Sequence, residues 1–541
     1  MKFVKTPSIR FQPDAEAGDT PYIGEQMFIN SSLVEQHFRE TEKLIRKLSR
    51  DDVAGWLLNT GYFPESNILP PSFEIHDYKL KDRPYNLKVT DLARRQLTSI
   101  SYPKSLLTDR VFSIQDPRNY HDIVFYLHSE WDNILNRLYP KNTKIFSYSM
   151  PIPVEKKNQG SVGSLRSGRM IYEWIRMAES DLVIDATSYK YLAKTDITNF
   201  YSSVYTHSVA WAIAGSRETA FEDKQFKLFG NKIDKLLQYS NDARTNGIPV
   251  GSALSDLVAE ILLSWIDEKV SLELDDLDFL AVRFKDDYRI LCNTEEDAKK
   301  ILSTISEELK KINLSLNETK TQIFTLPDGL YRPHDREYFP HSLREKSKVS
   351  FKTFEHTILI ALDIHRKYPG TSILEKFFSE LLTKDKRLKV QFSKHERQCL
   401  VQLTKFISLL FLIKRESEKT LSHVLSLIEI VYLTNRMYKE KIKPFIKQIV
   451  EKELVAASNK NSAFDIVWYI FFSRYIGLGI TNFKDLVTNE KVASNAFVQC
   501  IITSQDKLYN DSGVKLYRKP SECKGVSLAY RLDVFKRHER V

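Results

Sequence analysis

Three short stretches between residues 194 and 288 constrain this chain more than anything else in it. They are Lys-Thr-Asp-Ile-Thr-Asn-Phe-Tyr (Lys194 to Tyr201), Asn-Gly-Ile-Pro-Val-Gly-Ser (Asn246 to Ser252) and Arg-Phe-Lys-Asp-Asp-Tyr (Arg283 to Tyr288). The first reads as a strand that closes on a carboxylate, Asp196, with the carbonyl of Ile197 beside it. The second is a Gly-Pro-Gly turn that cannot be helix and feeds one. The third places Asp286 and Asp287 at the tip of a hairpin. If the two strands are neighbours in one sheet, three carboxylates converge. Oxygen ligands of this kind suit a hard cation such as Mg²⁺. Two such ions ~3.5–4 Å apart can neutralise the attacking hydroxyl, the transferred phosphate and the leaving pyrophosphate in phosphoryl transfer.

Convergence without a cation is costly, because two like charges ~4 Å apart repel by ~4 kcal/mol at an effective dielectric of 20. Singly, each feature has an ordinary reading. An Asp-Asp pair is common turn chemistry, and Asp196 before a helix is a good N-cap. The set is harder to explain away. It combines an aromatic five residues past the first Asp, a Gly-rich turn into a long helix, and a strand-Asp-Asp-strand hairpin.

At 541 residues the chain exceeds a single core, so more than one domain is expected. Residues 1–180 mix helical patterns (Ser32 to Leu48, Asp122 to Leu138, Met170 to Glu179) with Pro-punctuated loops. Residues 181–330 alternate strand and helix: strand Tyr191 to Ile197, helix Phe200 to Ala214, helix Ala253 to Val270, strands Phe279 to Phe284 and Tyr288 to Cys292, helix Glu295 to Ile312, strand Thr319 to Thr325. That order predicts an α+β sheet with helices on one face. From 331 to 541 amphipathic helices dominate, and irregular stacked helix pairs are the natural expectation.

The balance of 80 Lys and Arg over 70 Asp and Glu, +10, is compatible with a nucleic-acid partner. Cys292, Cys399, Cys500 and Cys523 are too scattered for a zinc cluster or a disulfide scaffold, which points to a reducing cytoplasm. The apolar runs Phe406 to Ile413 and Ile466 to Phe472 are too short to span a membrane.

At the three motifs the chain resembles reverse transcriptases, over a palm from about Tyr191 to Thr325. Asp196 matches the motif A aspartate. Tyr201 matches the aromatic that presses on the sugar and excludes a 2′-hydroxyl. Gly247, Pro249, Gly251 and Ser252 match the motif B turn, and Phe284 to Asp287 match the aromatic-x-Asp-Asp of motif C. Leu316, Asn317, Thr319 and Lys320 look like motif D, whose lysine protonates the leaving pyrophosphate. The wording around Asn199-Phe200-Tyr201, Tyr205 to Ser208 and Trp211 is similar to the bacterial defence-associated group of the abortive-infection or unknown-group type.

That resemblance implies a fingers–palm α+β fold followed by an all-α helical-repeat domain in place of a thumb. It implies an RNA-directed DNA polymerase, a nucleotidyltransferase acting in antiphage defence. The expected substrates are dNTPs, the product single-stranded DNA, and the assembly a homo-oligomer. The expected cofactor is a pair of Mg²⁺ ions, with Mn²⁺ as a substitute, on Asp196, Ile197, Asp286 and Asp287. Catalysis would rest on the three aspartates and Lys320, and dNTP binding on Tyr201, Gly251, Ser252 and Arg169, the last in a Gly- and Ser-rich stretch suited to phosphates. Many template-copying relatives carry Gln where this chain has Val250, which favours weakly templated or untemplated synthesis. Two other readings stay open: a conventional RNA-templated enzyme using an associated non-coding RNA, and a non-catalytic RNA-binding scaffold. The Lys439, Lys441, Lys443 and Lys447 cluster reads as a solvated helix face or as a groove for single-stranded nucleic acid.

Overall fold

The structure is a computed structural model that describes residues 32–104, 108–154, 159–162, 177–532 and 535. Arg169, Arg166 and most of the Met170 to Glu179 segment lie outside the described residues.

The described residues open with helices Leu33–Ile45 and Arg50–Leu58, each started by a serine whose hydroxyl accepts a backbone N–H. An antiparallel hairpin follows, β1 (Thr98–Pro103) and β2 (Asp109–Ile114). The single helix expected over Asp122 to Leu138 is two, Pro117–Ser129 and Trp131–Leu138. Glu130 leaves the helical region at φ −116°, ψ 23°, a break that an apolar spacing does not reveal. Asp116 caps the first of them on the Arg118 N–H, with Pro117 at its first turn.

The central sheet runs β3 (Ile145–Ser147), β5 (Phe279–Phe284), β6 (Asp287–Cys292), β4 (Tyr191–Asp196) and β7 (Gln322–Thr325) across its width. β3 pairs with β5 in parallel, and the other pairings are antiparallel. β3 was not foreseen, because three residues are too few to show an alternation. The long helix Ala253–Glu273 and the helix Glu295–Lys310 pack on the sheet, as the α+β reading requires.

Two expected elements are interrupted. The helix foreseen over Phe200 to Ala214 is Phe200–Ser203 and Thr206–Ala214. Between them the backbone extends to bond the 245–247 segment: Thr206 N–H to Thr245 O at 2.8 Å and Gly247 N–H to Val204 O at 2.8 Å. That tertiary pairing outweighs the local helical preference. The strand foreseen over Thr319 to Thr325 begins instead with a helical turn, Glu318–Lys320. Helix Phe229–Ser240, packed on Thr206–Ala214 and Pro117–Ser129, was not anticipated.

Beyond β7 the chain is mainly helical: Phe351–Lys367, Ile373–Glu380, Glu396–Glu416, Leu421–Thr434, Lys439–Asn459 and Ala463–Ile476. Ala463–Ile476 is apolar on nearly every side and buried accordingly. These helices reach back to the beginning of the chain. The Trp468 indole N–H donates to the Ile68 carbonyl at 3.1 Å, and the Tyr102 ring of β1 meets Phe464 edge-on at 5.0 Å. The buried apolar residues from Val34 to Phe535 form one connected core. Among the described residues no helix is long and apolar enough to cross a membrane.

Candidate active site

The site forms where β4 and β6 end together. In their register Asp196 lies directly opposite Asp287, and Lys194 opposite Arg289. The strand period of two puts these four on one face of the sheet. The Ile197 N–H donates to the Asp286 carbonyl at 3.1 Å, which extends the ladder to the hairpin tip. The end of β4 is also tied to the segment before β7: Asn317 N–H to Asp196 O at 2.8 Å and Thr198 N–H to Ser315 O at 2.9 Å. That pairing brings Lys320 over the sheet edge, where its ammonium bonds Asp196 Oδ2.

The carboxylates sense one another. Burial and then the Asp286 and Asp196 charges push Asp287 up to about 6. Asp286 is raised by burial and by Asp196. Lys320 is raised by its bond to Asp196. Among the described residues no group of three or more His, Cys, Asp or Glu side chains is gathered closely enough to make a ready metal cage. Yet Asp196 is 6 % exposed and its Oδ1 is buried with no hydrogen-bond partner among the described residues. An orphaned, buried, anionic oxygen beside two further carboxylates is a donor set that fits a hard divalent cation. Asp196, Asp286 and Asp287 are the side chains that would hold it.

Tyr201 sits on the short helix Phe200–Ser203, after Asn199 turns the chain at φ 45°. Its carbonyl accepts the Ile248 N–H at 2.9 Å, so the tyrosine and the Gly-Pro-Gly turn are joined through the backbone. Its hydroxyl donates to Asp256 Oδ1 at 2.5 Å, and burial together with that carboxylate raises it far above an ordinary phenol. Gly251 stands at φ 129°, and a Cβ there would lie 3.0 Å from Phe112 Cδ1 and 3.1 Å from Pro64 Cβ. Ser252 is committed elsewhere: its buried hydroxyl caps Ala253–Glu273 by accepting the Ser255 N–H at 3.1 Å. The structure thus gathers Asp196, Asp286, Asp287 and Lys320 at one end of the sheet and Tyr201 close by, and gives Ser252 a capping role.

Sequence reasoning passed over the support beneath the hairpin. Arg283 is fully buried between two carboxylates of the long helix, bonding Glu260 at 2.8 and 3.0 Å and Asp267 at 2.7 Å. The Tyr288 hydroxyl donates to Asp267 at 3.0 Å. Burial works to raise both acids. The guanidinium outweighs it at Glu260, which falls below its usual range, and not at Asp267, which is pushed up to about 6. The available signal was the presence of Asp256, Glu260 and Asp267 among the mostly apolar residues of the first four turns of that helix. In the helical third, Lys441 pairs with Glu396 and Lys447 with Glu451 at 3.8 Å, as on a solvated face.

Residues 132–364 match the family described as Reverse transcriptase (RNA-dependent DNA polymerase). This stretch contains the whole five-stranded sheet. No curated protein matches the chain. Among solved structures it is similar to apo telomerase from Candida tropicalis at 14% identity, TM-score 0.31, covering 70% of this chain and 69% of that one. It is similar at 13% identity, TM-score 0.27, to telomerase from Candida albicans with a TWJ fragment of telomeric RNA, covering 68% and 63%. For a Candida tropicalis telomerase truncated from its C-terminal domain the values are 16% and 0.28, covering 46% of this chain and 52% of that one. The chain therefore spans about half to two thirds of the length of these structures. The family match coincides with the sheet and its aspartates, and residues 132–364 therefore carry a reverse transcriptase domain.

Proposed function

We propose that Asp196, Asp286 and Asp287 are the metal-binding catalytic groups of a Mg²⁺-dependent DNA polymerase that joins dNTPs with little or no use of a template. The observation that carries this reading is the β4–β6 register, which sets Asp196 opposite Asp287 with Asp286 bonded alongside. When bound, paired Mg²⁺ ions would neutralise the reacting hydroxyl, phosphate and pyrophosphate. The chain's own groups do the rest. The three carboxylates fix where positive charge collects. Lys320, now on Asp196, supplies a cation and a proton for the departing pyrophosphate. Tyr201 presses on the sugar, and Gly251, without a side chain, leaves room at the turn. Arg169 is assigned to the triphosphate from the sequence alone.

Weak templating is supported by Val250, whose apolar side chain cannot hydrogen-bond a templating pair and whose carbonyl is taken by the Ser113 N–H at 2.9 Å. The resemblance to defence-associated enzymes supports an antiphage role, a homo-oligomer and a cytoplasmic setting. It also supports a division into fingers (1–180), palm (181–330) and helical repeats (331–541). The conventional alternative, copying of an associated RNA, is favoured by the family's RNA dependence.

The test incubates the purified chain with dNTPs and Mg²⁺ and sequences the product. Homopolymer or random sequence supports untemplated synthesis, whereas cDNA of a bound RNA supports templating. Asp286→Asn should lower incorporation by about a thousandfold or more while the circular-dichroism spectrum stays native. Wild-type rates in Asp286→Asn would refute the assignment, and a chain that neither incorporates nor binds nucleotide with divalent ions would be the non-catalytic scaffold.

A further inference from the structure

One carboxylate near the site belongs to neither the metal set nor the buried arginine. Asp256 lies in the first turn of Ala253–Glu273 and is shared between two groups. The Tyr201 hydroxyl donates to its Oδ1 at 2.5 Å. The Lys285 ammonium reaches Oδ1 and Oδ2 at 3.3 and 3.2 Å. Lys285 is the residue immediately before Asp286, at the tip of the hairpin.

Lys285 is held in an unfavourable backbone state, φ 54°, which a non-glycine residue adopts only when its surroundings impose it. The surroundings here are specific. Its N–H donates to Ser149 Oγ at 2.8 Å, and its carbonyl accepts from Arg283 Nη1 at 3.1 Å. Its ammonium completes the set on Asp256. A tyrosine anchored only at its backbone can swing about two side-chain torsions. One bonded at the far end of its ring as well cannot.

We propose that Asp256 and Lys285 are positioning residues that hold the Tyr201 ring rigidly against the nucleotide sugar, and so set the discrimination between deoxyribose and ribose. This rests on the polymerase reading above. A ring excludes a 2′-hydroxyl only if it does not yield, and the short bond to Asp256 removes the freedom to yield. Lys285 has a second effect. It neutralises a fourth carboxylate close to the reacting centre and keeps it from competing with Asp196, Asp286 and Asp287 for cations. The charge pair thus links the helix after the turn, the tyrosine and the hairpin tip in one unit.

The experiment uses the full chain with dATP and ATP as probes in Mg²⁺. It compares wild type with Asp256→Ala, Asp256→Asn, Lys285→Met, Tyr201→Phe and the Tyr201→Phe/Asp256→Ala double variant. The readouts are kcat/KM for each nucleotide and the equilibrium Kd for each. Asp256→Ala and Tyr201→Phe should each lower the dATP-over-ATP preference by about tenfold. Asp256→Asn, which keeps an acceptor for the hydroxyl, and Lys285→Met should lower it less. The double variant should lower the preference no further than Asp256→Ala alone, because both changes remove the same Tyr201–Asp256 bond. An unchanged preference in Tyr201→Phe and Asp256→Ala, with both nucleotides slowed alike, would overturn the proposal and leave Asp256 a structural residue. The Kd ratio separates the two levels. If wild type turns over no dATP, the polymerase reading fails. The lock is then decided by binding, supported if Asp256→Ala narrows the dATP-to-ATP Kd ratio and refuted if the ratio stays as in wild type.

Discussion

Gly251 shows how one backbone position can be over-determined. It stands at φ 129°, and a Cβ would press on Phe112 and Pro64 at 3.0 and 3.1 Å. Gly247, in the same turn at φ 87°, would meet the Ser202 backbone less closely, its carbonyl oxygen nearest at 3.3 Å. Gly251→Ala should therefore cost about 1–3 kcal/mol, and more than Gly247→Ala, read as a loss of denaturant midpoint. Equal costs would show that φ alone, and not the contact with the β1–β2 hairpin, decides the residue. At this scale the sequence told much. Asp286 and Asp287 are legible because a hairpin tip leaves few conformations, and Gly247 and Gly251 because few other residues tolerate such angles. The hydroxyl of Ser252 was not legible. A serine after a turn and before a helix serves a ligand or a cap equally well until its Oγ is seen to accept the Ser255 N–H.

Among elements, the β5–β6 hairpin and the helix Ala253–Glu273 are joined through Arg283, fully buried between Glu260 and Asp267. Removing one partner of a buried ionic group strands the others without solvent, typically at 3–5 kcal/mol. Arg283→Met should lose about that much, measured by thermal or denaturant unfolding, and should disturb the hairpin that carries Asp286. Adding Glu260→Leu and Asp267→Leu should recover most of the loss, since a fully apolar set leaves no uncompensated charge. If Arg283→Met alone is neutral, the hairpin is held by its ladder and not by the buried network. The elements themselves were readable where period and length agree, as in Ala253–Glu273 and Glu295–Lys310. They were misread where a tertiary bond intervenes: Val204 and Tyr205 look helical in isolation, yet their backbone pairs with 245–247.

Across the whole molecule, the last described stretch of chain returns to the helical third. Glu429, on Leu421–Thr434, is fully buried and accepts the Leu528 N–H at 2.8 Å and the Ser527 hydroxyl at 3.0 Å. Burial pushes its carboxyl from an ordinary 4.5 up to about 7, against those two bonds, Tyr475 and Arg531. A carboxyl raised on folding contributes stability that is complete below 4.5 and is lost as pH rises through 7. Glu429→Gln should therefore gain on wild type as pH rises across that window, by about 1–3 kcal/mol, followed as the difference in melting temperature. A constant difference from pH 4 to 8 would place the ionisation elsewhere. Such an anchor was invisible in the sequence, because Glu429 and Ser527 lie 98 positions apart.

The sequence by itself determined the kind of chemistry and the local conformations that carry it. Turn residues restrict the backbone, a period of two fixes a strand's faces, and acidic residues at a strand end and a hairpin tip are of the type that suits a cation. Only the tertiary structure decided which strands are neighbours, that Lys320 rests on Asp196, and that Asp256, Lys285 and Arg283 brace the hairpin and the tyrosine. Those contacts join residues remote in the chain, and their partners are chosen by packing and by the need to satisfy buried charge. No local pattern encodes either.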